Sequence, residues 1–116
     1  MIEGWITQLR KGLLEYCVLL VLRRGESYGY EIVQALKRIE DLAVSESTVY
    51  PILGRLRAEG FLKSRDVPSD AGPPRRYFAL TPRGKVRLAE MNAYWPMLTK
   101  ALNELKSGKP EREPQT

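Results

Sequence analysis

A mainly α chain with one small β-hairpin is predicted from three observations on the sequence. Apolar residues recur at helical spacing in four separate stretches, and the second and third of these are joined by only a short turn. Two β-prone runs, FLKSRDV and RRYFAL, flank PSDAGPP, which is dense in turn formers. The order helix, helix, helix, strand, strand, helix is that of a winged helix-turn-helix with one added C-terminal helix. On this reading residues 1–81 form the winged helix-turn-helix, with the wing at about 61–81, residues 82–106 form the added helix, and 107–116 are a disordered tail.

Each element has its own signal. Ile2, Trp5, Ile6, Leu9, Leu13, Tyr16, Cys17 and Leu20 keep helical steps, which predicts a first helix from near the start to Arg24, weakened by Gly4 and Gly12. Residues 13–22 are apolar all round, so this half should lie in the core. RRGES then breaks the chain. YGYEIVQALKRI carries the stripe Ile32, Leu36 and Ile39 of a second helix. The turn EDLAV leads to Ser45, a good N-cap for the third helix, and Gly60 suits its C′ position.

In the third helix Val49, Ile52, Leu53 and Leu56 fall at i, i+3, i+4 and i+7, one buried face. Pro51 interrupts that pattern, yet at 100° per residue it falls on the opposite side with Ser47, Gly54 and Ala58. Thr81-Pro82 supplies an N-cap and a first-turn proline for the last helix. There Leu88, Met91, Trp95, Leu98, Leu102 and Leu105 are separated by steps of 3, 4, 3, 4 and 3, a heptad seam. Such a seam packs either on the chain's own core or on a second subunit, and a projecting terminal helix favours the homodimer. SGKPEREPQT beyond it has no apolar residue, which predicts disorder.

Composition narrows the function. With 116 residues the chain is one small domain, and nineteen Lys+Arg against fourteen Asp+Glu give a net charge of +5 and a pI near 9.5. That balance favours a polyanion, nucleic acid first and an anionic membrane surface second. Between Asp70 and Glu90 the only charges are Arg75, Arg76, Arg83, Lys85 and Arg87. The single cysteine, Cys17, permits no intrachain disulfide and sits in an apolar run, which fits a packed thiol in a reducing cytoplasm. That run is too short, and too closely flanked by Arg23 and Arg24, to span a membrane, and MIEGWITQLRKG lacks signal-peptide order. Histidine is absent and no carboxylates cluster, so neither an enzyme nor a metal or other cofactor is expected.

The third helix presents a low outward ridge flanked by Thr48, Tyr50, Arg55 and Arg57. A major groove roughly 12 Å wide admits such a helix. Lys63, Arg65, Arg75 and Arg76 lie on two strands expected side by side, where a wing would add phosphate or minor-groove contacts and salt dependence. The alternative allowed by the same elements is a winged-helix protein–protein module without sequence-specific DNA binding.

GLLEYCVLLVL, YGYEI, STVYPILGRLRAEG and GPPRRYFALTPRGK together resemble the PadR family of bacterial transcriptional regulators, over about residues 10–105. The resemblance implies a homodimeric winged-helix protein, usually a repressor, on an operator with imperfect two-fold symmetry. It implies that Ser47, Thr48 and Tyr50 face DNA, with Arg55 toward phosphate, Arg75 and Arg76 on the wing, and Tyr28 and Tyr30 opening the second helix. A single helix after the wing looks like the compact subfamily. In some compact members a tryptophan of the last helix lines a pore at the dimer centre that takes flat aromatic molecules. Trp95 stands at the matching position, with Gly12, Glu15 and Tyr16 facing that way from the first helix. Trp95 then either seals a dimer seam or stacks on such a ligand, and Glu15 is either pore lining or solvated surface. Pro96 directly follows and is expected to bend or open the last helix.

Overall fold

The second half of the first helix is almost wholly apolar, with Glu15 its only charged residue, and the remaining elements gather around it. The computed structural model describes residues 2–39 and 44–108. In it α1 spans Ile2–Leu22, β1 Ser27–Tyr28, α2 Gly29–Lys37 and α3 Glu46–Ala58. They are followed by β2 (Leu62–Val67), β3 (Arg75–Leu80) and α4 (Pro82–Lys106). The turn expected at residues 40–44 lies outside the described residues apart from Val44, as does the expected tail beyond Gly108.

The core joins Leu14, Val18, Leu19 and Leu22 of α1 to Ile32, Val33 and Leu36 of α2 and to Val49, Ile52, Leu53 and Leu56 of α3. Phe61, Leu62, Phe78 and Leu88 close it from the hairpin and α4. The α3 face is the one that the spacing predicts. The α1 face is not: Trp5 and Leu9, part of the counted stripe, are 62% and 59% exposed, while the inward face begins at Leu14. A helix segment as rich in apolar residues as 13–22 offers several candidate stripes, and only tertiary packing selects one. Cys17 packs against the core, and burial pushes its thiol up, away from reactivity.

The sheet has three antiparallel strands in the order β1-β3-β2. The two-residue β1, pairing Ser27 with Phe78 and Tyr28 with Tyr77, is too short for any alternation signal and is absent from the sequence reading. In β2 and β3 the register sets Arg65 opposite Tyr77 and Asp66 opposite Arg76. Since faces alternate along a strand, Lys63, Arg65 and Arg75 share the outer face with Tyr77 and Tyr28. Arg76 lies on the other face with Asp66, so the four basic wing residues do not form one cluster.

Caps follow the expected positions with one change in chemistry. Ser45 is the N-cap of α3 but makes no side-chain cap hydrogen bond; its Oγ lies 2.9 Å from Ser47 Oγ and 3.3 Å from Thr48 Oγ1. In α2 the Glu31 carboxylate accepts from the Tyr28 N–H at 3.1 Å, half of a capping box. Gly60 follows α3 with φ of 86°, the left-handed conformation that ends a helix.

Thr81 caps α4 and ties it to the base of the hairpin. Its Oγ1 accepts from Gly84 N–H at 3.0 Å and donates to the Gly60 carbonyl at 2.6 Å, while its own N–H reaches the Phe61 carbonyl at 3.1 Å. The guanidinium groups of Arg83 and Arg87 lie 4.8 and 4.2 Å from the Phe61 ring centroid. Past this joint α4 leaves the body: of its 25 residues only Gly84 and Leu88 are buried. Pro96 does not open it, since the helix continues to Lys106 and the Thr99 hydroxyl donates to the Pro96 carbonyl at 3.0 Å.

Candidate nucleic-acid interface

The outward side of α3 carries Ser47, Pro51, Gly54 and Ala58, all exposed, so the helix stands out as a narrow ridge. Pro51 lies six residues past the N-cap, where its ring lacks the N–H that would bond the Ser47 carbonyl. Ser47 is an exposed residue of the first turn, and the helix runs on unbroken to Ala58. The ridge therefore keeps its proline without losing the helix.

On one flank, Tyr50 turns toward the start of α2. Its ring edge lies 2.6 Å from where a Cβ on Gly29 would be, so any larger residue there would have to push the ring aside. Burial is the first cause that raises the Tyr50 hydroxyl's pKa, followed by the charge of Glu46, so the side chain stays a neutral donor. Tyr28 stacks on Tyr30 at 6.2 Å between centroids and meets Tyr77 of β3 at 5.5 Å. Arg75 lies 4.8 Å over the Tyr28 ring, and Arg65 lies 5.6 Å from the Tyr77 centroid. Tyr28, Tyr30 and Tyr50, with hairpin-loop residues between Ser69 and Arg76, line an open concavity of about 340 Å³. Tyr30 and Tyr50 are 50% and 43% exposed, leaving their hydroxyls available to a partner.

On the other flank, a groove of about 550 Å³ runs between α1 and α3, lined by Thr7, Arg10, Lys11, Leu14, Ser47, Thr48, Pro51, Ile52 and Arg55. Arg55 does not project freely: its guanidinium is paired with the Glu15 carboxylate. Arg65 and Arg76 are likewise held, by Glu26 and Asp66. The neighbouring guanidinium, through its hydrogen bond, holds each of these two wing carboxyls below its usual range. The residues that the sequence placed at the interface thus divide into two flanks around one ridge.

The residues expected around a ligand pore are only partly brought together. Tyr16 meets Trp95, with centroids 5.9 Å apart and planes tilted by 43°, and its hydroxyl donates to Asn92 Oδ1 at 2.6 Å. Gly12 is exposed with open space where a Cβ would sit. Glu15 is engaged with α3 instead. Trp95, Leu102 and Leu105 are 38%, 47% and 78% exposed in the single chain, whereas Leu88 is buried and Met91 and Leu98 are partly so.

Gly29, Tyr77, Asn92, Glu26 and Asp66 were not among the residues that the sequence singled out. Gly29 carried a legible signal, a lone glycine between two tyrosines. The acids carried none, because their partners are set by strand register.

Comparison with known proteins agrees with this geometry. The model of the transcriptional regulator PadR-like family matches residues 18–90. A negative transcriptional regulator, PadR, of Bacillus subtilis is 34% identical over 80 residues, which cover 66% of this chain but only 43% of that protein. The X-ray structure of a PadR-like transcription factor from Bacteroides fragilis shares 40% identity and a TM-score of 0.76, covering 88% of this chain and 98% of that one. Bacillus subtilis PadR in complex with operator DNA shares 27% identity and a TM-score of 0.63, over 90% of this chain and 50% of that one. The described residues contain no helix long and apolar enough to cross a membrane. A family model matching the helix-turn-helix, the wing and the start of α4, together with the winged-helix fold of these relatives, places the chain in the PadR-like family of transcriptional regulators, which are not enzymes.

Proposed function

We propose that this chain is a cytoplasmic, homodimeric regulator that binds double-stranded operator DNA and represses transcription. The observation that carries the reading is the exposed α3 ridge of Ser47, Pro51, Gly54 and Ala58 between two hydrogen-bonding and basic flanks. The ridge enters the major groove, where Ser47, Thr48 and Tyr50 reach base edges and phosphate. Tyr28 and Tyr30 meet the backbone beside it. Lys63, Arg65, Arg75 and Arg76 of the wing hold the flanking strand, and Arg55 holds phosphate on the α1 side. The relative solved with operator DNA supports this placement through its shared fold. A gel shift on the region upstream of the protein's own gene tests it: a sequence-selective complex that weakens steeply with salt is expected. No complex at low salt, or one indifferent to sequence, overturns it.

The second copy packs along Met91, Trp95, Leu98, Leu102 and Leu105, covering side chains that the single chain leaves exposed toward the helix end, while Leu88, expected in the same seam, is already buried in the chain's own core. A pseudo-palindromic operator follows from that two-fold symmetry. Gly12, Tyr16 and Trp95 line the site for a planar aromatic ligand that releases the repressor, a role favoured by the Tyr16–Trp95 ring contact, while the Glu15 carboxylate is taken up by Arg55. Planar aromatic cations should quench the tryptophan fluorescence strongly, and Trp95→Ala should abolish that quenching. Equal quenching in the variant assigns the signal to Trp5 and removes the ligand role.

A further inference from the structure

A surface that takes a polyanion gains nothing from carboxylates, yet acids hold its arginines. Glu26, just before β1, lies across β3 from Arg65 and accepts from its Nε at 2.7 Å and its terminal nitrogen at 2.6 Å. Asp66, directly opposite Arg76 in the register, accepts from its Nε at 2.9 Å and its terminal nitrogen at 3.4 Å. Both pairs are two-pronged, occupying the donor fork that would otherwise grip a phosphate. Arg55 is also paired with a carboxylate, that of Glu15, through one terminal nitrogen. Both wing arginines are well exposed, at 63% and 53% of their side chains, and exposed pairs add little to folding.

We propose that Glu26 and Asp66 are affinity-setting residues, which compete with DNA phosphate for Arg65 and Arg76. The inference rests on the DNA-binding reading above and adds to it. When a phosphate takes the arginine, the carboxylate is left facing the backbone, repels it and recruits a cation from solution. Binding is thereby weaker and its salt dependence shallower than four bare wing cations would give. The effect acts through the backbone, which is common to all sequences, so it leaves sequence preference unchanged.

The test is fluorescence anisotropy with the full chain, an upstream fragment and a scrambled fragment of equal length, between about 50 and about 200 mM salt. Glu26→Gln and Asp66→Asn should each tighten binding to both fragments by about two- to fivefold, the scale of a surface ion pair. The slope of log affinity against log salt should steepen by up to about 0.9 for each carboxylate removed. Glu90→Gln, which changes net charge equally on α4, should do much less, and Glu26→Gln should have a smaller effect in an Arg65→Gln background, where only the repulsion of the backbone remains to be relieved. Weaker operator binding by the acid variants would make the pairs braces of the wing, and variants matching Glu90→Gln would reduce them to bulk charge; either result overturns the inference. A wild-type protein that binds neither fragment removes the DNA-binding reading and this inference together.

Discussion

Gly84 shows how a single hydrogen atom can set the relation between two parts of the molecule. A Cβ there would stand 2.0 Å from the Phe61 carbonyl oxygen, which already accepts the Thr81 N–H. Backbone cannot swing away as a side-chain tip can, so the joint between wing and α4 must open. Gly84→Ala should therefore cost about 1–3 kcal/mol in denaturant unfolding, the range of an overpacked site. Gly12→Ala, with open space at its Cβ, should instead gain about 1 kcal/mol from helix propensity. Equal effects at the two sites would contradict the close approach. Gly29→Ala meets the movable Tyr50 ring, so it should lower stability less than Gly84→Ala while weakening DNA binding. The Gly84 requirement was invisible in the sequence, where the residue lies just after the Thr81-Pro82 helix start. The obstructing atoms come from elements far along the chain.

Among the elements, α3 was the most legible and α1 the least. Four apolar residues at strict spacing admit one buried face, and the structure buries Val49, Ile52, Leu53 and Leu56. Ser45 and Gly60 bound the helix because backbone conformation at a cap is a local matter, although Ser45 turns its hydroxyl to its neighbours instead of the cap. The α1 stripe misled because residues 13–22 are so rich in apolar side chains that several stripes compete, and β1 escaped because two residues carry no pattern. Pro51 belongs to this scale: it shapes the exposed ridge without breaking α3. Pro51→Ala should keep the fold, with thermal unfolding at or above that of the parent, and should lower DNA affinity. Unchanged affinity in an anisotropy titration would remove the ridge from the interface.

Across the whole molecule, the reading surface and the α4 seam are linked by a short joint and by α1. Tyr16 contacts Trp95 on α4, and the adjacent Glu15 holds Arg55 on α3, so α1 spans from the seam to the reading helix. The heptad spacing sets the proposed seam on α4, where Leu102 and Leu105 are exposed among the described residues. Light scattering after size exclusion should give a dimer, and Leu102→Asp with Leu105→Asp should give a folded monomer with much weaker operator binding. A monomeric parent would confine the seam to its own chain. The most direct test of the central claim is hydroxyl-radical footprinting on the upstream region. Two protected half-sites with centres about 34–36 Å apart, one helical turn, are expected from two α3 ridges related by a two-fold axis. A single protected patch, or protection that does not depend on sequence, would contradict it.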